Sequence, residues 1–485
     1  MKSYRVLVGL LSEEDYSDGS TALNNIIVSE LKEAVDLSLV VTNYWGKRRP
    51  GPLVEETFHH GLPALVIRPR TRLAFDLTDN AVLTDGVAEG QYLAQCIANY
   101  ASKQQVDLMH VLQWGHLKGC LFEAALRARI PFVHTPYEYW SVCPAYFLLQ
   151  YGRTICSGPD ESGQKCRNCV SNLEPLPRRQ HQPLPYARPT KTFMQKLPER
   201  LAWRLQSFAE SELAMKMFGP QWEPLFGPAF GRQREIASHL RALRFYLARA
   251  ARILPMNTFW ARELSKHLRI PFDKFTVCPP GIEMTRKIPK GDRFKPPLHF
   301  GHPHRVSRES GTFVVLDAWR KSAVTPDHGI LHIYGQDGSQ DLLQTTGYED
   351  LIRSGSVKVH EGRIADKLDE VFQPLAAIVS AYSWKIGACG NPDAIARGVP
   401  NIAGHWDYPE YEKDTPVRDG LNALTYRRWD VDSLADVFRN CARDPAQLER
   451  LYDTCELPSG FTRKDFIERY HRVYKEILAE KRAML

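Results

Sequence analysis

Short apolar runs alternate with amphipathic stretches over the first 135 residues. "YRVLVGLL" is followed by "ALNNIIVSELKEA", whose apolar positions recur at helical spacing, and then by "DLSLVVTNYW". The alternation returns in "VDLMHVLQW", "KGCLFEAALRARI" and "PFVHTPYEYW". Strands that are almost continuously apolar have both faces covered, and strands separated by helices run parallel. The pattern predicts a doubly wound α/β domain, a class that binds ligands beyond the carboxyl ends of its strands.

From residue 143 to about 235 the alternation stops. A cysteine-rich stretch comes first, then the proline-rich basic segment "EPLPRRQHQPLPYARPTKTF", then helical segments carrying Trp203 and Trp222. This reads as an insertion or lid-like arm. The chain resumes with the helix "SHLRALRFYLARA", the strand "RILPMN" and the helix "TFWARELSKHL". A strand, "FTVCPPGIE", then exits through Pro-Pro-Gly, a composition suited to an interdomain hinge. A second alternation runs from "LHFGHPHRV" and "GTFVVLDAWRKSA" through "GILHIYGQ", "YEDLIRS", "VKVHEG" and "ADKLDEVFQ" to "AAIVSAYS". The predicted organisation is residues 1–281 as a first Rossmann-like domain with an insertion at about 143–235, 282–465 as a second, and 466–485 as an amphipathic helix.

A chain of 485 residues is too long for one core, in keeping with two domains. No run approaches the ~18 consecutive apolar residues of a membrane-spanning helix. The N-terminal apolar run meets acidic residues at once, so it reads as a buried strand rather than a secretory signal, and the expected compartment is the cytoplasm.

Net charge is +7 and uneven. Between Arg178 and Arg252 there are 14 Lys and Arg against 5 Glu and no Asp, a local +9 that leaves −2 for the rest. Such a segment suits a membrane surface, a polyanionic substrate or nucleic acid, and equally a solvated helical face. No nucleic-acid module motif accompanies it, so no nucleic-acid partner is expected. With Trp203, Phe208, Trp222 and Phe226 the segment has the composition to dock peripherally on the inner, anionic face of a membrane.

Four of the ten cysteines cluster as Cys143, Cys156, Cys166 and Cys169. A closing C-x-x-C with two more thiols nearby fits a structural zinc site, since four thiolates satisfy a tetrahedral ion. A loose thiol cluster is the alternative; a reducing compartment argues against disulfides.

Several loops carry candidate chemistry. Gly19 and Ser20 precede a helix whose first N–H groups suit a phosphate or sugar hydroxyl, or are simply capped by Ser20. His134 ends a buried strand, where it would bond a sugar hydroxyl or move a proton, or be a satisfied structural histidine. "FGHPHRVSRESG" lies between a strand and a helix with His302, His304, Arg305 and Arg308, a set suited to a diphosphate or merely a basic loop. "SAYSWKIGACGNPDAIARGVPNIAG" reads as a strand, a glycine-containing turn, a short helix and a strand. Asn391 suits an N-cap and Pro392 the first helical position, so Asp393 falls in the first turn, where the helix dipole favours a carboxylate.

Taken in this order, these stretches resemble the retaining glycosyltransferases of the GT-B fold, in the glycosyltransferase group 1 family (family 4-like). The likeness is scattered but spans nearly the whole chain, from the N-terminal glycine loop and "VHTPYEYWSVCP" to the closing "FTRKDFIERYHRVYKEIL". It implies a nucleotide diphosphate sugar held mainly by the second domain. Transfer would be metal-independent and of hexosyl type, to a glycan, lipid-linked or small-molecule acceptor held by the first domain. The product class implied is a glycan, polysaccharide or glycoconjugate, and the closing stretch 466–485 is similar to the family's helix that crosses back to the first domain. The resemblance puts Asp393 on the ribose, Gly387, Ala388 and Cys389 in the turn facing the donor, and His134 near the reacting sugar. The sequence departs from the family at three donor positions: Lys385 stands for an expected acid, His302 for an arginine and Ser310 for a lysine. Lys385 is expected to replace the missing lysine or to meet an anionic sugar. Two other readings remain: a catalytically silent GT-B scaffold that binds glycan or a partner transferase, and a different GT-B enzyme such as an epimerase or phosphorylase.

Overall fold

The computed structural model describes residues 4–11, 19–42, 53–68, 85–112, 117, 119–136, 141–143, 149–150, 154–160, 164–171, 232–304, 306–307, 310–335, 338–362, 364, 367–382, 391–405 and 411–484. The first sheet is built from β1 (Arg5–Leu11), β2 (Asp36–Thr42), β3 (Val54–His59), β4 (Leu62–Ile67), β5 (Leu108–Val111) and β6 (Phe132–His134). After a two-stranded hairpin, β7 (Leu149–Gln150) and β8 (Thr154–Ile155), β9 (Arg252–Ile253) completes it. Its order is β3-β4-β2-β1-β5-β6-β9, parallel throughout except for the antiparallel β3–β4 edge. Residues of β2 after Asp36 are all buried, which is why the strand reads as one apolar run.

The β3–β4 edge stands outside the parallel alternation. It turns through His60 (φ 51°) and Gly61 (φ 74°), a two-residue loop with both φ values positive, the geometry that matches strand twist in a hairpin. The "FTVCPPGIE" segment differs from its expectation as a strand. Thr276 N–H donates to Ile253 O at 2.9 Å and Cys278 N–H to Pro255 O at 2.8 Å, but no ladder forms among the described residues. Pro279 and Pro280 have no N–H to continue one.

The second sheet contains β10 (Leu298–His302), β11 (Gly329–Gly335), β12 (Val357–Glu361), β13 (Ala377–Ser380), β14 (Asn401–His405) and β15 (Ala423–Arg427). The order is β12-β11-β10-β13-β14-β15, with every pairing parallel. Chain direction across the sheet therefore reverses between β10 and β13, which opens a crevice at their carboxyl ends. Phe300 on β10 packs on Trp319 and Phe438 of the helices Thr312–Ser322 and Val431–Arg443, fixing one face of the sheet.

The last helix, Arg463–Met484, starts at a capping box. Thr462 Oγ1 accepts from Asp465 N–H at 3.1 Å, and Asp465 Oδ2 accepts from Thr462 N–H at 3.0 Å. Its Phe466, Tyr470, Val473, Tyr474 and Ile477 join the hydrophobic core of the first sheet. Burying five such side chains contributes on the order of 10 kcal/mol before chain entropy is subtracted. The chain thus returns from the second sheet to the first. Among the described residues, no helix is long and apolar enough to cross a membrane.

Candidate functional site

The crevice at the β10–β13 reversal gathers the polar side chains. His302, the last residue of β10, is fully buried. Its Nδ1–H donates to the Val379 carbonyl on β13 at 3.0 Å, since a carbonyl can only accept, and its Nε2 accepts from the Thr312 hydroxyl at 3.1 Å. Both ring nitrogens are therefore engaged in holding β10, β13 and the start of helix Thr312–Ser322 together. Burial lowers its pKa to about 4, so the ring is neutral at pH 7. Ser310 Oγ lies 2.8 Å from Thr312 Oγ1 and 3.0 Å from the Ser307 carbonyl, extending the same network. Where the resemblance expects an arginine and a lysine, the fold has a buried, neutral bracket.

Gly311 caps that helix with φ 76°, in the left-handed region that glycine enters without strain. An added Cβ there would run into the Ala381 carbonyl, so the helix start presses directly on the end of β13. Thr312 N–H donates to the Ser307 carbonyl at 3.3 Å, and the N-terminus of this eleven-residue helix lies at the reversal, where its dipole favours an anion. His304, two residues past β10, is 5% exposed, and its Nδ1 lies 3.0 Å from the hydroxyl of Tyr382, just past β13.

Asp393 lies in the helix Asn391–Ala396, with its side chain about one-third exposed at 36%. Arg397 Nη1 donates to its backbone carbonyl at 3.1 Å and stands 3.8 Å from its carboxylate, while Arg397 Nε bonds Asp369 at 2.6 Å. Burial raises the Asp393 pKa; Arg397 and Arg463 oppose that rise and Glu283 adds to it. Glu283 and Arg463 pair at 2.8 Å, Glu283 from the link between the sheets and Arg463 from the start of the last helix. Asp393 therefore sits where that link and the returning helix meet the second sheet.

On the first sheet, His134 ends β6 and is fully buried. Its Nδ1–H donates to the Val111 carbonyl at 2.8 Å, which leaves Nε2 as the accepting nitrogen. Burial lowers its pKa to about 4. The neighbouring Thr135 belongs to a buried network: its hydroxyl lies 2.8 Å from His110 Nε2 and 3.1 Å from Tyr470 OH, while His110 Nδ1 meets Tyr474 OH at 2.5 Å. His110, Thr135, Tyr470 and Tyr474 carry no local motif, because their partnership depends on a helix more than 300 residues away from two of them. Gly19 opens the helix Gly19–Ala34 that follows β1, with Ser20 in its first turn.

The four cysteines lie near one another and form no disulfide. Cys143, Cys166 and Cys169 are buried, and Cys156 is partly so. Burial, then the neighbours Cys143, Cys156, Asp160 and Cys169, pushes the Cys166 thiol well above its ordinary range. Among the described residues no three His, Cys, Asp or Glu side chains are arranged as a ligand set, and Cys156 Sγ accepts from Gly158 N–H at 3.3 Å. Arg305, Arg308, Lys385, Gly387, Ala388 and Cys389 lie outside the described residues, as does the basic segment before Arg232.

No known protein-family pattern matches the chain, and no curated protein matches it either. Solved structures do. HepE from Anabaena, in complex with UDP and glucose, aligns with a TM-score of 0.57 at 12% identity, over 98% of this chain and 100% of that one. A glycosyltransferase from Rickettsia africae gives 0.54 at 11%, over 99% of each chain. Sucrose-phosphate synthase from Thermosynechococcus elongatus gives 0.55 at 13%, over 98% of this chain and 100% of that one. The alignments run nearly the full length of both partners, and with the two α/β sheets described above they show that this chain has the GT-B fold.

Proposed function

We propose that this chain is a glycosyltransferase that moves a sugar, of hexosyl type, from a nucleotide diphosphate sugar to an acceptor, with retention at the anomeric carbon. The observation that carries the reading is the polar crevice at the β10–β13 reversal, with the start of helix Thr312–Ser322 pressed against it. HepE, which shares the fold, holds UDP and glucose.

In this reading the N-terminal end of helix Thr312–Ser322, whose Thr312 N–H is itself held by the Ser307 carbonyl, faces the leaving diphosphate, and the helix dipole stabilises the developing charge without a metal. His302 and Ser310 hold that helix start in place. Asp393 takes the ribose hydroxyls. His134 Nε2, an acceptor while Nδ1–H is committed to Val111, takes a hydrogen bond from a sugar hydroxyl and so orients the reacting ring. Gly19 and Ser20 face the same cleft from the first sheet. Arg305, Arg308 and Lys385 add positive charge, and the turn at Gly387, Ala388 and Cys389 approaches the donor. The acceptor is a glycan, a lipid-linked glycan or a small molecule, and the basic segment brings the protein to an anionic membrane when the acceptor is lipid-linked.

Nucleotide binding tests the reading. A ligand that binds the folded chain alone raises its melting temperature, so UDP, ADP, GDP or their sugars at millimolar concentration are expected to do so. A melting temperature unmoved by all of them would favour the catalytically silent scaffold. Once a donor is identified, the anomeric configuration of the product, read by NMR, decides retention. Lys385→Ala is expected to lower donor affinity; unchanged affinity and turnover would remove Lys385 from the site.

A further inference from the structure

His304 is a buried polar group whose second nitrogen has no partner among the described residues. The ring is 5% exposed, its Nδ1 faces the Tyr382 hydroxyl at 3.0 Å, and its Nε2 is buried without a hydrogen-bond partner. Leaving a buried donor or acceptor unmet costs about 1–3 kcal/mol, so folded chains rarely tolerate it without a reason. His302 two residues earlier shows the contrast, since both of its nitrogens are engaged.

Its position narrows the reason. His304 follows β10 and Tyr382 follows β13, the two strands between which chain direction reverses. The rings of His304 and Tyr382 lie 4.4 Å apart, and those of His304 and His302 4.8 Å apart, so His304 is wedged between the reversal and the residue that anchors helix Thr312–Ser322. A phenol is the better donor and a neutral imidazole nitrogen the better acceptor, so Tyr382 O–H donates to Nδ1. That bond selects the tautomer carrying its proton on Nε2. The unmet group is thus an N–H, and its missing partner is an acceptor. Burial, with His302 beside it, holds the His304 pKa well below the ordinary histidine value, so the ring stays neutral.

We propose that His304, oriented by Tyr382, is a neutral hydrogen-bond donor to a phosphate oxygen of the nucleoside diphosphate. The inference rests on the proposed donor site and goes beyond it. It assigns the contact to an imidazole N–H that comes from neither of the two positions where the resemblance expects cations. Tyr382 is the positioning residue and His304 the binding residue.

Calorimetric titration of the intact protein with UDP, and in parallel with uridine, tests the assignment. A hydrogen bond to a charged group is worth about 1.5–3 kcal/mol. His304→Ala is therefore expected to weaken UDP binding by about tenfold or more. Tyr382→Phe, which removes one oxygen and leaves the tilted ring contact, is expected to weaken it in the same direction. His304→Gln, which restores an N–H, is expected to recover part of the loss. Uridine affinity is expected to stay unchanged in all three, since no phosphate is present. UDP affinity unchanged in Tyr382→Phe and His304→Ala, with the wild type binding UDP, would overturn the assignment and leave the donor site standing. An equal loss for uridine would overturn it too, by moving the contact to the nucleoside. Should His304→Ala fail to fold, Tyr382→Phe and His304→Gln decide. A wild type that binds none of UDP, ADP or GDP would sink this proposal together with the donor site.

Discussion

Gly311 and Thr312 show how much of the crevice depends on single side chains. Gly311 has φ 76° and faces the Ala381 carbonyl, so Gly311→Ala is strained twice over, in the backbone and in the gap between helix and strand. The expected outcome is a lower melting temperature and loss of any UDP-induced rise, both read in one thermal-shift experiment. Thr312→Val keeps the shape but removes the hydroxyl that His302 Nε2 accepts from. It leaves a fully buried nitrogen unmet and is expected to cost about 1–3 kcal/mol, measured by urea unfolding. At this scale the sequence singled out His302, His304 and Ser310, which the fold brings to the end of β10 and the approach to helix Thr312–Ser322. It could not tell which nitrogens would be committed: His302 is bound on both sides and His304 on one, a difference made by Val379, Thr312 and Tyr382 on other elements.

Among the elements, the closing helix Arg463–Met484 has the longest reach. Its apolar spacing marked it as amphipathic, and its start is legible as Thr462-x-x-Asp465. Its partner came from the family resemblance and not from the spacing, because amphipathicity says that a face is buried and not against what. Tyr474 meets His110 on β5, so Tyr474→Phe is expected to destabilise the chain by about 1–3 kcal/mol, with a matching fall in the denaturant midpoint. A midpoint equal to that of the wild type would mean that the buried pair contributes nothing. The β3–β4 hairpin shows the opposite failure. "VEETFHHGLPALVI" has a turn signal at His60-Gly61, but β3 is exposed or half-buried along its length and lacks the apolar run that announces a parallel strand.

At the scale of the whole molecule, neutral histidines set the response to acid. His110, His134, His302, His304 and His332 are all buried with lowered pKa values, chiefly through burial. The unfolded chain binds protons on these groups below about pH 6.5, whereas His134 and His302 in the folded chain resist until about pH 4. Their stabilising contribution is complete above about pH 6.5 and is lost as pH falls towards 4, on the order of 3 kcal/mol for each of those two. Asp393, with its raised pKa, works the other way, but as one group against five. The urea midpoint is therefore expected to be lower at pH 5 than at pH 7; an unchanged midpoint would mean that these rings are solvated and able to charge. The sequence by itself determined two α/β units and most of their parallel strands, because hydrophobic period and turn chemistry are local properties. Tertiary structure alone decided strand order, and with it the reversal at β10–β13. It also decided the return of the last helix to the first sheet and the protonation state of each buried histidine, because all three depend on neighbours supplied from distant parts of the chain.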